Sequence, residues 1–377
     1  MTTDVTSQAP APLRAGVIGG GFMGVVHSRA IRASLARTVA IATSTPERSS
    51  LAAAGLGFER PAGNATELTE DPEIDVVHVC TPNSSHAALA TAALAAGKHV
   101  VCEKPIATSV SEATELVSAA DAAGRIGAVP FVYRYHPMVR EARARIARGD
   151  IGALLSLDCG YLQDWMLESS DDDWRAGSED GGPSRAFADI GSHLCDLVEF
   201  VTGERIIRLS ARTRRVFEQR ARRHVVNEDI VALLVELESG AVGTLLISQM
   251  AAGRKNAVTL EVHGSRQSVR FDQEHPEQLW IGARTASQLI LRDPSVDAPD
   301  SARLQSIPAG HPTGYQDAFT AFVSDVYSAI AGHTPNGLPT FRDGLRAVEL
   351  TESVLTSARS GAWVDTTPGF ASTKETS

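Results

Sequence analysis

The chain has only four cysteines among its 377 residues, Cys80, Cys102, Cys159 and Cys195, and no two stand at Cys-x-x-Cys spacing. That argues against a disulfide-stapled scaffold or a zinc ribbon and suggests reduced packing thiols in a cytoplasmic protein. Blocks of positive charge are missing too. Lysine and arginine are dispersed and the formal net charge is −10, so no electrostatic footprint for nucleic acid or an anionic membrane is present. No run of about 18 apolar residues occurs, which excludes a membrane-spanning helix of the ordinary kind. Met1–Pro12 lacks the basic and apolar regions of a secretion signal and is expected to be a disordered tail, with a second tail at 366–377. Asp189, His193 and Asp196 lie close in sequence, but no second histidine at suitable spacing supports zinc, and no metal is expected.

What is present suits about two domains: 43% of residues are hydrophobic and 21% charged. From Leu13 to about Phe131, short β-branched runs alternate with alanine-rich stretches of helical periodicity, the pattern of βαβ construction. Strands are expected at Leu13–Ile18, Val39–Thr43, Val76–Cys80, Lys98–Cys102 and Ile126–Phe131. Helices are expected at Ser84–Ala96 and Ser109–Ala123, each with a serine able to cap its first turn. This defines an α/β domain over 13–132, a doubly wound parallel sheet of Rossmann type.

The remainder, 133–365, has a different character. A helix rich in arginine and alanine, Pro137–Arg148, precedes alternating runs at Ile206–Arg212, Ile230–Leu237, Ala241–Gln249, Ala257–His263 and Gln267–Phe271. These suggest an α+β domain with an open-faced, mostly antiparallel sheet, one face of which must be covered. Phe187–Val201, Tyr315–Ala331 and Phe341–Ser360 are the helices available for that cover. Pro294–Pro312, rich in Pro, Asp and Ser, reads as a surface loop.

Three motifs fall where the parallel strands end, the edge at which such sheets bind ligands. Gly19-Gly20-Gly21-Phe22-Met23-Gly24 follows the first strand directly and opens a helix. Gly19 permits the tight turn, Gly21 a close approach of backbone to pyrophosphate, and Gly24 close helix packing; Phe22 and Met23 lie within the same loop. The second strand ends in Ala42-Thr43-Ser44-Thr45-Pro46-Glu47-Arg48, without the carboxylate that binds the adenosine ribose of NAD. Thr43, Ser44 and Arg48 could instead receive a 2′-phosphate, which favours NADP modestly over NAD; Glu47 and Arg48 could equally belong to the first exposed turn of a helix. Thr81-Pro82-Asn83 should line the same crevice, and His86 could contact the nicotinamide ribose or cap its helix region. Glu103-Lys104-Pro105 ends the apolar run Lys98–Cys102 and places a cation beside the nucleotide, although a lysine before a proline is ordinarily just a surface residue.

Asp189-Ile190-Gly191-Ser192-His193 begins a helix with Asp189 and His193 four apart, on one face. A carboxylate orienting an imidazole would suit the proton transfer that accompanies hydride transfer, and an ordinary surface pair would show the same spacing. Tyr161-Leu162-Gln163-Asp164-Trp165 and Trp174-Arg175 supply aromatic faces and forked polar groups of the kind a sugar ring requires, or core packing. Tyr133, Arg134, Tyr135 and His136 follow the last Rossmann run and are expected to border the cleft, although His136, before Pro137, could merely precede a helix.

Taken in order, Gly19-x-Gly21-x-x-Gly24, Thr81-Pro82-Asn83, Glu103-Lys104-Pro105 and Asp189-x-Gly191-x-His193 resemble the Gfo/Idh/MocA oxidoreductases over Leu13 to about Ser360. The resemblance implies a Rossmann domain followed by an open-faced sheet domain, with the active site between them. It implies that Lys104 bonds the reacting hydroxyl and the ribose, that His193 is the general acid/base, and that Asp189 holds substrate or orients His193. Hydride would pass between nicotinamide and a ring carbon of a sugar, anhydrosugar, glycoside or cyclitol, in a homodimer or homotetramer. Two other classes share the fold: a glycosidase that retains its nicotinamide, and a non-catalytic nucleotide sensor.

Overall fold

The computed structural model describes residues 12–221 and 223–366, so the expected tails lie outside the described residues except for Pro12 and Thr366. The first part forms strands β1 (Arg14–Ile18), β2 (Arg37–Ala42), β3 (Arg60–Pro61), β4 (Val76–Val79), β5 (His99–Cys102) and β6 (Gly127–Ala128). They make a six-stranded sheet in the order β3-β2-β1-β4-β5-β6, parallel throughout. The order reverses between β1 and β4, and the crevice outside that switch point is where a doubly wound fold binds its ligand. Helices α1 (Phe22–Ala33), α2 (Pro46–Leu56), α3 (Ala65–Glu70), α4 (His86–Ala95) and α5 (Val110–Ala123) connect the strands. Ser109 caps α5 by accepting from the Glu112 N–H, as its position in the sequence suggests.

The second part opens with α6 (Pro137–Ala147) and β7 (Leu154–Leu162), then α7 (Ser178–Gly181), a π-helical turn at Phe187–Gly191 and α8 (Ser192–Thr202). Next come β8 (Ile206–Arg214), a small hairpin of β9 (Gln219–Arg220) and β10 (Arg223–His224), then β11 (Ile230–Leu237), β12 (Val242–Ser248), β13 (Ala257–Gly264) and β14 (Gln267–Asp272). Strands β15 (Gln278–Ala283) and β16 (Ser287–Leu291), helices α9 (Pro299–Ala302), α10 (Tyr315–Ile330) and α11 (Phe341–Ser360), and β17 (Val364–Asp365) complete it. A nine-stranded sheet runs β16-β15-β14-β13-β7-β12-β11-β8-β17. Its pairings are antiparallel except β7 with β12.

Alternation along β11 buries Val231, Leu233, Val235 and Leu237 on one face, against Leu194 and Val198 of α8 and Val354 of α11. Each such side chain contributes roughly 1.5–3 kcal/mol by leaving water. The other face stays open, with Leu234, Val242 and Leu246 about half exposed. Among the described residues no helix is long and apolar enough to cross a membrane.

Several expectations need correction. Helix α10 does not cover the second sheet; Phe319, Phe322 and Val323 pack with Val17, Val26 and Ile31 of the first domain's β1 and α1. Amphipathic periodicity shows that a face is buried but not what it is buried against. The last Rossmann strand is confined to Gly127–Ala128, since Pro130 supplies no N–H to a ladder. Strands β15 and β16, unforeseen, extend the sheet as an edge whose outermost strand is largely exposed. The Pro294–Pro312 stretch contains α9, whose Ser301 is buried and donates to the Pro137 carbonyl.

Candidate active site

At the end of β1 the chain turns through Gly19 with φ +109, and a Cβ there would strike the Cys80 carbonyl of the neighbouring strand end. A Cβ on Gly24 would strike the Gly19 carbonyl, so Gly24 packs the helix close rather than lining the groove. Gly21 is the opposite case: nothing lies within 4 Å of the place its Cβ would take. Helix α1 starts at this open position with no side-chain cap, leaving first-turn N–H groups for an anion. A groove of about 1080 Å³ runs from here, bordered by Gly19, Gly21, Phe22 and Met23. These residues fit the pyrophosphate of a dinucleotide.

Thr43, Ser44 and Arg48 border the far end of the groove, where Arg48 Nη1 donates to Ser44 Oγ at 3.1 Å. Thr45 caps α2, so Glu47 and Arg48 do occupy a first helical turn, and Arg48 still reaches the groove. Thr81 and Asn83 border the middle, and Asn83 Nδ2 donates to the Gly181 carbonyl at 3.2 Å, bridging to the second domain. His86 directs both ring nitrogens to backbone carbonyls, those of Thr81 and Pro105, each at 2.7 Å. It braces the two loops against each other.

Glu103, Lys104, Phe22, Met23 and Arg175 border both this groove and an adjoining cavity of about 300 Å³. Strand β5 delivers Lys104 to the junction. Its Nζ donates to the Asp189 carbonyl at 2.8 Å and to Asp189 Oδ1 at 2.7 Å. Asp189 Oδ2 accepts from Gln249 Nε2 at 2.8 Å, and Arg175 Nε stands 3.5 Å from Oδ1. No hydrogen bond joins Asp189 to His193 among the described residues. The π-helical turn at Phe187–Gly191 widens the coil, so a spacing of four no longer stacks the two side chains; such turns recur at functional sites. His193 is instead held edge-on by Phe131 and Tyr133, at ring separations of 5.5 and 5.3 Å. Its Nδ1 is buried without a partner, and the ring borders the cavity.

Charge follows from these placements. Burial alone would raise the Asp189 carboxyl, but Lys104 and Arg175 overcome it and hold the group at about 2. Burial, with Lys104 assisting, pushes His193 down to about 3, so the imidazole is neutral at pH 7. A neutral ring can accept a proton, and a fixed ammonium beside it can stabilise a developing alkoxide.

The opposite wall is a continuous hydrogen-bond network. Asn256 Oδ1 accepts from Tyr161 Oη at 2.7 Å and from Gln163 Nε2 at 2.9 Å, while Asn256 Nδ2 donates to Tyr133 Oη at 3.0 Å. Trp165 Nε1 donates to Gln163 Oε1 at 2.7 Å, which makes Trp165 a support for that wall rather than part of the lining. Trp174 lies on the nucleotide groove, with the Arg175 guanidinium 4.3 Å from its ring centroid. Tyr135 and His136 are buried away from the cleft, against Phe322 and Phe271, and Arg134 is not brought to it either: it is buried in ion pairs with Asp196 and Asp343 beneath α8. Its neighbour Tyr133 faces the cavity because the 3₁₀ turn at Val132–Tyr135 sends successive side chains in different directions. Sequence reasoning missed Gln249, Asn256 and Tyr315, which come from strand ends and a helix start far along the chain and carry no local motif.

A long nucleotide groove ending where a lysine and a neutral histidine share one small polar cavity defines a dinucleotide-dependent oxidoreductase. The chain belongs to the Gfo/Idh/MocA family. Residues 13–131 match its oxidoreductase domain with NAD-binding Rossmann fold, and 139–270 match the GFO/IDH/MocA C-terminal domain. Levoglucosan dehydrogenase of Pseudarthrobacter phenanthrenivorans is 31% identical over 94% of this chain and 98% of its own length. Inositol 2-dehydrogenase of Rhizobium meliloti is 28% identical over 92% of this chain and 96% of its own. A solved levoglucosan dehydrogenase in complex with NADH and levoglucosan superposes with a TM-score of 0.89 at 31% identity, covering 94% of this chain and all of that one.

Proposed function

We propose that the protein is a dehydrogenase that oxidises a ring hydroxyl of a sugar, anhydrosugar, glycoside or cyclitol, with Lys104 and His193 in the site. The observation that carries this reading is the Lys104–Asp189 pair facing the unpartnered His193 across the cavity that adjoins the groove. A bound nicotinamide would supply the hydride acceptor. Lys104 Nζ, anchored by Asp189, donates to the reacting oxygen and lowers the cost of its negative charge. His193 takes the hydroxyl proton. Asn256, Gln163 and Tyr133 offer a wall of donors and acceptors for the other hydroxyls, and the cavity suits one small ring rather than a polymer. The relative named for levoglucosan supports an anhydrosugar, and the one named for inositol supports a cyclitol.

Thr43, Ser44 and Arg48, with no carboxylate at that end of the groove, favour NADP over NAD as cofactor. The test is formation of reduced cofactor from NAD and from NADP with a panel of monosaccharides, anhydrosugars and cyclitols. Turnover with neither cofactor would refute the reading. Release of a leaving group without net reduced cofactor would identify a glycosidase instead.

A further inference from the structure

Glu103 borders both cavities, yet none of the chemistry above uses it. Its carboxylate is almost fully buried. Oε2 accepts from the Lys104 N–H at 3.2 Å, and Oε1 lies 3.1 Å from His27 Nε2. Behind His27 the contacts continue through the interior of the first domain. His27 Nδ1 is 2.8 Å from His78 Nδ1, and His78 Nε2 is 2.9 Å from the Tyr327 hydroxyl. Both rings are completely buried, within a core otherwise made of aliphatic and aromatic side chains such as Phe319. Polar groups are costly there unless each is satisfied.

Only one proton arrangement satisfies every member. A carboxylate accepts, so His27 carries its proton on Nε2, and its Nδ1 then accepts. His78 must therefore carry its proton on Nδ1, and its Nε2 accepts from the Tyr327 O–H. Burial holds His78 in the neutral form that this arrangement needs. An imidazolium at His27 would reverse His78 and leave the Tyr327 proton without an acceptor among the described residues.

We propose that Tyr327, His78 and His27 are positioning residues whose aligned donors hold Glu103 as a carboxylate at the junction of groove and cavity. The consequence rests on the dinucleotide reading above. A fixed negative charge beside the reacting end of the groove favours the cationic, oxidised nicotinamide over the neutral, reduced one. Lys104 and Arg175, the cations that border the same junction, cannot cancel it fully, because both are also engaged by Asp189.

Two measurements test this. Nitrogen NMR of the histidine rings in cofactor-free protein should show the Nε2–H tautomer for His27 and the Nδ1–H tautomer for His78. Reversed tautomers, or an imidazolium at His27 at neutral pH, would overturn the chain. Dissociation constants for oxidised and reduced cofactor should then be compared by titration. Glu103→Gln should shift their ratio about tenfold toward the reduced form, and the milder Tyr327→Phe about threefold in the same direction. If both affinities change equally, the residues are structural only and the proposal fails. Failure of the wild type to bind either cofactor would sink the dinucleotide reading and with it the bias, while the tautomers would still decide the chain.

Discussion

Replacing Lys104 by methionine keeps the aliphatic stem and removes the charge, so it isolates what the ammonium does. In the native site Nζ satisfies two oxygens of Asp189, both side chains being 14% exposed. Without it Asp189 retains Gln249 and a 3.5 Å contact to Arg175. Breaking a fully buried pair costs about 3–5 kcal/mol; the surviving partners and the partial exposure reduce the expected loss here to about 2 kcal/mol at pH 7. The pH dependence has a definite sign. Asp189 is depressed from 3.8 to about 2, a contribution of about 2.5 kcal/mol that is present above the unfolded value and lost as pH falls through about 2. In the variant the carboxyl titrates higher and can neutralise itself. The stability difference between wild type and variant should therefore shrink between pH 5 and about 2.5, as read by urea denaturation. Activity should fall about 10²–10³-fold in kcat/KM, the order expected for losing one preorganised donor to a developing oxyanion. A variant within threefold of wild type in kcat/KM, or a stability difference independent of pH, would refute this account of the site.

His193→Gln should lower kcat by about 10²–10⁴-fold with a smaller effect on KM, measured by steady-state kinetics. Because His193 titrates at about 3 in the folded protein and near 6.5 unfolded, wild type loses stability as pH falls between those values; the glutamine variant should be less acid-sensitive there. Arg48→Ala should weaken NADP about tenfold and leave NAD nearly unchanged, by fluorescence titration; equal effects on both would remove the 2′-phosphate argument. The open sheet face predicts a homo-oligomer, and Leu234→Glu combined with Leu246→Glu should reduce the mass seen by light scattering. A monomeric wild type would end that expectation.

Local rules made much of this molecule readable from its residues. Alternation in Ile230–Leu237, the glycine turn at Gly19–Gly24 and the capping serine at Ser109 are short-range patterns, since pleat, turn and helix periodicities act within a few residues. They were enough to define a doubly wound sheet, a mostly antiparallel partner, the strand end bearing Lys104 and the helix start bearing His193. Tertiary structure decided what those patterns meet. It sent α10 to the first domain, turned Arg134 into a buried pair, and made Asp189 a partner of Lys104 and Gln249 instead of His193. It also joined His27, His78 and Glu103, which stand 51 and 76 residues from His27 and share no motif. Such choices depend on which buried groups can satisfy one another across the packed interior, a condition that no single stretch of sequence contains.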